Sequence, residues 1–193
     1  MNKLIFIIFS IILFSCSHPG YKNPHVIIFT GLGDIEVELF PEQAPKTVAA
    51  FLSFVDSGFY NNSSFYRVVM LEGLSSSANV GIIQGGTYQT NDKQHSEVPG
   101  IVHESTKQSG LSHTSGTVSL ARTAPGTGNT EFFICIGDQT QFDYGNGSGS
   151  DTLGFAAFGR VFKGMTVVRQ IQYQRKHDQS FDEKIIIKKI ERL

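Results

Sequence analysis

A mainly β fold, a closed eight-stranded antiparallel barrel capped by two α-helices, is the architecture this chain predicts, and three observations predict it. Short β-branched and aromatic runs recur along the sequence, separated by turns that draw on its 20 glycines. Only two stretches, 45–56 and 163–171, carry helical character. The 193 residues suffice for one domain with a substantial core, and neither an internal repeat nor a second domain is visible. Many short strands with few helices bury their apolar faces by closing on themselves, with the helices over the open ends.

The N-terminus stands outside that fold. Lys3 precedes an apolar run, Leu4 to Phe14, interrupted by Ser10. At about 11 residues the run is short for a membrane span, which needs about 20, and fits the core of a signal peptide over residues 1–15. Cys16 follows the small Ser15 and resembles the lipobox cysteine of bacterial lipoproteins, although Phe14 is bulkier than usual there. That resemblance implies that Cys16 becomes the first mature residue and carries acyl chains such as palmitate. It places the chain in the bacterial cell envelope, lipid-anchored, periplasmic or at the outer membrane; a chain not lipidated at Cys16 would be secreted. Residues 16–24, with two prolines and a glycine, read as the lipidated cysteine and a tether, and 25–193 as the folded domain.

Within the domain, Val26 to Thr30 is a β-branched and aromatic strand, and Gly31 to Asp34 is a turn. Ile35-Glu36-Val37-Glu38-Leu39 alternates as a half-buried strand should. Pro45 suits the first turn of a helix whose Val48, Phe51, Leu52 and Val55 share one face, and Gly58 stops it. Strands follow at Ser64–Met70, Gly81–Gln84, Thr117–Leu120, Phe132–Ile136, Phe155–Phe162 and Lys184–Ile190, with the second helix at Lys163–Ile171. Leu71–Val80 and Gly145–Ser150 are polar, small-residue loops.

Composition narrows the function. The formal charge is −1, and no basic stripe is present, so no nucleic-acid partner is expected. His95, His103 and Glu104 match no metal-ligand spacing, and neither a metal nor a cofactor is expected. Cys135 lies in an apolar strand and reads as a buried, inert thiol. Ser112, His113 and Asp143 are hydrolase residue types, yet no nucleophile elbow accompanies them.

The ordered set Phe59-Tyr60-Asn61-Asn62-Ser63-Ser64-Phe65-Tyr66-Arg67-Val68, Gln84-Gly85-Gly86, His113 to Arg122, Glu131-Phe132-Phe133-Ile134 and Gly154 to Val161 resembles the cyclophilins, the peptidyl-prolyl cis/trans isomerases. The likeness spans residues 24–193 and opens at Gly33–Phe40 and Pro45–Phe51. It implies that Arg67 is the catalytic arginine, Gln84 the active-site glutamine, Phe133 the phenylalanine of the proline pocket and Ala121 its substrate-lining alanine. Ile82, Phe142, Phe155, Arg122 and Glu131 are the further substrate-binding candidates. Several positions depart from the family pattern. Gly81 and Ile82 replace a phenylalanine and a methionine, and Leu74 is an alternative filler of that wall because the chain between Arg67 and Gln84 is longer than usual. Arg122 replaces an asparagine, Glu131 a glutamine, Gln141 a tryptophan or phenylalanine, Phe142 a leucine, and Phe155 a histidine or tyrosine.

The chemistry fits those residue types. An Xaa-Pro bond turns slowly over a barrier of ~18–20 kcal/mol because the amide C–N bond has partial double-bond character. A cationic donor aimed at the proline nitrogen acts more strongly once the amide has twisted and that nitrogen has become basic. Arg67 is expected to be this donor, with Gln84 orienting it or the substrate carbonyl. Glu131 is expected either to approach Arg67, to face Arg122, or to lie with Arg122 as a solvated rim charge. Phe65, two residues from Arg67, shares its sheet face if the strand is regular and otherwise packs in the barrel. The expected activity is isomerisation of proline-containing polypeptide clients, assisting extracytoplasmic folding, by a monomer. The alternative is a non-catalytic or weakly catalytic binding module that holds proline segments as a chaperone or scaffold. A barrel holding a small apolar ligand is disfavoured, because bulky strand residues should fill it.

Overall fold

The computed structural model describes residues 20–71, 80–90, 97–147 and 151–193. In chain order the strands are β1 (His25–Thr30), β2 (Asp34–Leu39), β3 (Ser63–Leu71), β4 (Val80–Gly86), β5 (Thr117–Leu120), β6 (Phe132–Ile136), β7 (Ala156–Lys163), β8 (Lys176–His177) and β9 (Ser180–Arg192). The α-helices among the described residues are α1 (Pro45–Asp56), α2 (Thr106–Ser109) and α3 (Met165–Gln172), and a 3-10 turn spans Thr140–Phe142. The strands run in the order β1-β2-β7-β5-β6-β4-β3-β9, and β9 pairs back onto β1. Eight antiparallel strands therefore close a barrel, and the two-residue β8 is a ninth that pairs only with β9.

Side-chain alternation builds the core. Ile35, Val37 and Leu39 of β2 point inward with Val26 and Ile28 of β1. Phe51 of α1 packs on Tyr60, Phe132 and Phe158, with ring centroids 5.4, 5.9 and 5.0 Å away. Val168 and Ile171 of α3 join the same core. The first turn of α1 has no side-chain cap from its own N-cap residue, Ala44. Glu104 supplies one from a distant loop, accepting from the backbone N–H of Lys46 (3.1 Å) and of Thr47 (2.8 Å). This satisfies two of the donors that a helix start leaves open.

Several boundaries differ from those read in the sequence. Strand β7 begins at Ala156 and leaves Phe155 at the rim, and Lys163 ends β7 rather than opening the helix. Gly164, at φ 98°, separates that strand from α3. The last strand reaches back to Ser180 through a tight turn with Asp178 at φ 52°. The connection 72–79, which holds Leu74, and His95 lie outside the described residues.

Strand β3 is not regular. Its pairing with both neighbours shifts between Phe65 and Arg67. The shift sends Phe65 into the core, fully buried at 5.8 Å from Phe132, while Arg67 stays on the outer face. An extra residue at a bulge breaks the two-residue period that would put both on one side.

Candidate active site

The outer faces of β3, β4 and β6, with the loops after β5 and β6 and before β7, surround a cavity of about 650 Å³. Its apolar part is a small cluster separate from the barrel core. Phe133, Ile82 and Cys135 are buried in it, and Val69, Ala121, Phe142 and Phe155 pack against them. The three phenylalanine rings meet edge to face, with centroids 5.5 Å (Phe133–Phe142), 5.4 Å (Phe133–Phe155) and 5.3 Å (Phe142–Phe155) apart. Each such pair adds about 0.5–1.5 kcal/mol beyond its buried area, so the pocket wall is rigid.

Arg67 stands at the edge of that apolar wall. Its Nη1 donates to Gln84 Oε1 at 3.1 Å. Its Nε and Nη2 both donate to Gln179 Oε1, at 3.0 and 2.5 Å. Gln179 sits in the β8–β9 turn, which is pinned over β3 by the backbone bond from Val68 N–H to Gln179 O at 2.8 Å. The sequence reading missed Gln179, since a two-residue strand carries no periodicity; Asp178 in a tight turn was the available signal.

A chain of hydrogen bonds runs from Arg67 into the protein. Gln84 Nε2 donates to the Tyr66 hydroxyl at 2.8 Å, and that hydroxyl donates to Glu131 Oε2 at 2.8 Å. The other oxygen, Glu131 Oε1, accepts the backbone N–H of Thr87 at 2.7 Å and of Tyr88 at 2.9 Å. Glu131 is 6 % exposed, so it is not a solvated rim charge, and its link to Arg67 runs through Tyr66 and Gln84. Burial, reinforced by the neighbouring Glu131 charge, pushes the Tyr66 phenol far above its ordinary range, so it remains a donor. Gly86, at φ 148°, gives Glu131 its place: a methyl group there would land on the carboxylate. The Gln84-Gly85-Gly86 motif thus carries a steric requirement of the buried acid as well as a site glutamine.

Arg122 is also not a solvated charge, its side chain being 7 % exposed. It grips Asp151 with both terminal nitrogens at 2.9 Å and donates from Nε to Gly154 O at 3.0 Å. The guanidinium carbon lies 5.2 Å from the Phe155 ring centroid. This bidentate pairing holds Asp151 below the usual carboxylate range and ties residues 151–154 down beside Phe155. Gln141 also lines the cavity.

Beneath the floor, His113 is fully buried. Its Nδ1 is 2.6 Å from Asp143 Oδ1, its Nε2 is 2.9 Å from Ser119 Oγ, and its ring stacks on Phe133 at 5.9 Å. Ser112 Oγ donates to Asp143 and not to His113. The three hydrolase residue types do come together, but the exposed Ser112 is bonded to the acid and not to the His113 base, so no base is placed to activate it. Burial pulls the His113 pKa below 6.5. Cys135 is fully buried in the same floor, and burial raises its thiol pKa far above the ordinary value. Among the described residues, no group of three His, Cys, Asp or Glu is placed to hold a metal.

The model of the family described as cyclophilin type peptidyl-prolyl cis-trans isomerase/CLD matches residues 25–192. The chain is 33 % identical over 165 residues to peptidyl-prolyl cis-trans isomerase A of Dickeya dadantii, covering 85 % of this chain and 79 % of that one. It is 38 % identical over 150 residues to a peptidyl-prolyl cis-trans isomerase of Acinetobacter baylyi, covering 77 % and 72 %. The crystal structure of a Cryptosporidium parvum cyclophilin type isomerase superposes with a TM-score of 0.68 at 23 % identity, over 89 % of this chain and 98 % of that one, and shares the fold. The same isomerase in the presence of the dipeptide Ala-Pro gives 0.64 at 25 %, over 86 % and 96 %. The chain belongs to the cyclophilin family and is a peptidyl-prolyl cis/trans isomerase.

Proposed function

We propose that this cyclophilin-family isomerase turns Xaa-Pro bonds through Arg67 in the bacterial cell envelope, held at a membrane by acyl chains on Cys16 and acting on the folding of extracytoplasmic clients. The observation that carries the catalytic part is the placement of one clamped guanidinium at the edge of an apolar, phenylalanine-walled cavity. The proline ring enters between Phe133, Phe142 and Phe155, with Ile82 and Ala121 alongside. Gln84 and Gln179 hold the guanidinium plane, so Arg67 presents one of its two remaining N–H groups to the proline nitrogen as the amide twists. The donor is set before the reaction and needs no rearrangement at the barrier, which is the condition under which a hydrogen bond lowers it. No bond to carbon is broken, so neither a nucleophile nor a general base is required. An acceleration of about 10⁵ would take ~7 kcal/mol off the barrier. One charge-assisted hydrogen bond supplies only about 1.5–3 kcal/mol of that, and the water-poor pocket supplies the rest by favouring the twisted amide over the planar one.

The anchored location rests on the sequence alone: the short apolar run, Ser15-Cys16, and a tether rich in turn residues before β1. Among the described residues no helix is long and apolar enough to cross a membrane. The test of the catalytic part is NMR exchange on short Xaa-Pro peptides with residues 17–193 beside Arg67→Ala. Fast exchange that falls at least about tenfold in the variant, a loss of about 1.4 kcal/mol, supports Arg67 as the donor. Equal rates remove it. The test of the anchor is the mass of the N-terminal peptide from the full chain expressed in a bacterium, with Cys16→Ser as control.

A further inference from the structure

The outer face of the barrel where the tether arrives carries an aromatic and basic patch unconnected with the pocket. Tyr21 stacks flat on His25, with ring centroids 3.7 Å apart and planes within 9°. Phe162 meets both rings edge-on, at 5.9 and 4.8 Å. Phe162 is an apolar ring 46 % exposed on the outside of a strand. The register of β2 against β7 explains it: Glu36 faces Lys163 and Val37 faces Val161, so Phe162 is the extra residue of a bulge and turns outward. Lys163 reaches over the Phe162 ring at 5.2 Å and stays 68 % exposed, and Lys22 is exposed beside Tyr21. The acid beneath, Glu36, is already taken by His25 (2.8 Å) and Lys163 (3.1 Å).

We infer that this face, Tyr21, Lys22, Phe162 and Lys163, is where the barrel rests on the surface of a phospholipid bilayer. The inference rests on the anchored reading of Cys16. Five residue-to-residue steps lead from Cys16 to Tyr21, and at about 3.3–3.6 Å each they reach no more than ~18 Å. Because Tyr21 is stacked on His25, the length of chain between Cys16 and the barrel is measured to there, and this face is the part of the barrel held nearest the lipid. Its chemistry suits that place: aromatic rings lie at headgroup level, and exposed lysines meet anionic lipid. The strand order then fixes the outlook of the active site. Counted around the barrel, the β1–β2 edge is three strands from the β4–β6 edge in either direction, so the two lie diametrically opposite. The proline pocket faces away from the bilayer, toward soluble chains.

The sequence has no tryptophan, which makes a single-fluorophore test clean. The full chain, processed in a bacterium and reconstituted in vesicles of phosphatidylethanolamine and phosphatidylglycerol with brominated acyl chains, is compared as Phe162→Trp and as Tyr144→Trp. Position 144 lies in the loop following Phe142, on the pocket side. Quenching of roughly half the emission at 162, with little at 144, is expected for a ring within the ~5–10 Å of the headgroup and acyl boundary. Circular dichroism confirms that each variant is folded. An acylated chain with no quenching at 162, or equal quenching at both positions, overturns the docking face and leaves the anchor standing. A chain found by mass to be unacylated at Cys16, and free of vesicles, overturns both.

Discussion

The sharpest prediction concerns Glu131, three bonds removed from the guanidinium it serves. A carboxylate accepts hydrogen bonds and donates none. Glu131 therefore obliges the Tyr66 hydroxyl to donate to it and to accept from Gln84 Nε2, which in turn leaves Gln84 Oε1 facing Arg67. The polarity of the whole chain is set at its buried end. In Glu131→Gln the two backbone N–H groups of Thr87 and Tyr88 keep the amide oxygen, so the new NH2 faces Tyr66. Tyr66 must then accept from it and donate toward Gln84, and the Gln84 amide turns its own NH2 toward Arg67. Two donors oppose each other at the guanidinium. Leaving such a group unpaired costs about 1–3 kcal/mol, and if that cost is felt only in the productive geometry kcat/KM falls roughly 5- to 150-fold. If the amide instead turns its NH2 toward Thr87 and Tyr88, the same cost appears as lost thermal stability. The assay is NMR exchange on Ala-Pro peptides together with a melting curve, for Glu131→Gln, Tyr66→Phe and the double variant. Both single changes cut one chain, so the double variant should lose no more than the worse single one. Unchanged rate and unchanged melting in Glu131→Gln, or losses that simply add, would refute the reasoning.

Three further outcomes follow from the same geometry. Gly86→Ala drives a methyl into the Glu131 carboxylate at a positive φ; overpacking of this kind costs about 1–3 kcal/mol, seen as a lowered denaturation midpoint, with the rate falling beside it. Gln179→Ala frees Nε and Nη2 of Arg67 and should lower kcat/KM roughly 2- to 12-fold, the equivalent of about 0.5–1.5 kcal/mol, with little change in melting. Acid should destabilise the fold through two histidines, the buried His113 and the half-buried His103. His113 and His103 have folded pKa values below 6.5, mainly through burial. Below that pH the unfolded chain binds the protons first, so their contribution is complete above about 6.5 and is lost as pH falls toward the folded values. Melting temperature measured from pH 7.5 to 5 should drop, and the drop should shrink in His113→Gln; a flat profile in the parent chain would contradict this.

What the sequence made legible, and what it hid, divides along physical lines. Strands β5 and β6 were legible to the residue, β6 as a continuous apolar run between Glu131 and Gly137, and β5 as a short alternating Thr-Val-Ser-Leu run after the turn glycine Gly116. The face of α1 was legible because Val48, Phe51, Leu52 and Val55 repeat at helical spacing. The side of Phe65 was not, since it depends on a bulge, and a bulge is a tertiary compromise between two neighbours rather than a local pattern. Gln179 was hidden for a related reason: it reaches Arg67 through a turn 112 residues away, and only closure of β9 on β3 brings it there. The destinations of Glu104, Glu131 and Arg122 were equally unreadable. A charge in sequence is assumed to be solvated, and each of these finds its partners at long range.

The departures from the family pattern gain a different meaning once their partners are known. Read one at a time, Glu131 and Arg122 look like damage to a binding surface, and Arg122, with Gly81 and Gln141, is what favours a module that binds without turning over. In the folded chain each arrives with a complement. Glu131 brings Tyr66, two backbone donors and the space left by Gly86, and its effect is to aim Gln84 at the guanidinium. Arg122 brings Asp151 and Gly154, and its effect is to fix the segment that carries Phe155. Gln179 adds a second clamp on Arg67 from a hairpin outside the barrel. An arginine side chain loses about 2 kcal/mol of rotamer freedom when fixed, and a protein that only held proline peptides would gain nothing from fixing one. Spending that order on the guanidinium of Arg67, at the edge of an apolar pocket, is what a site for the twisted amide requires.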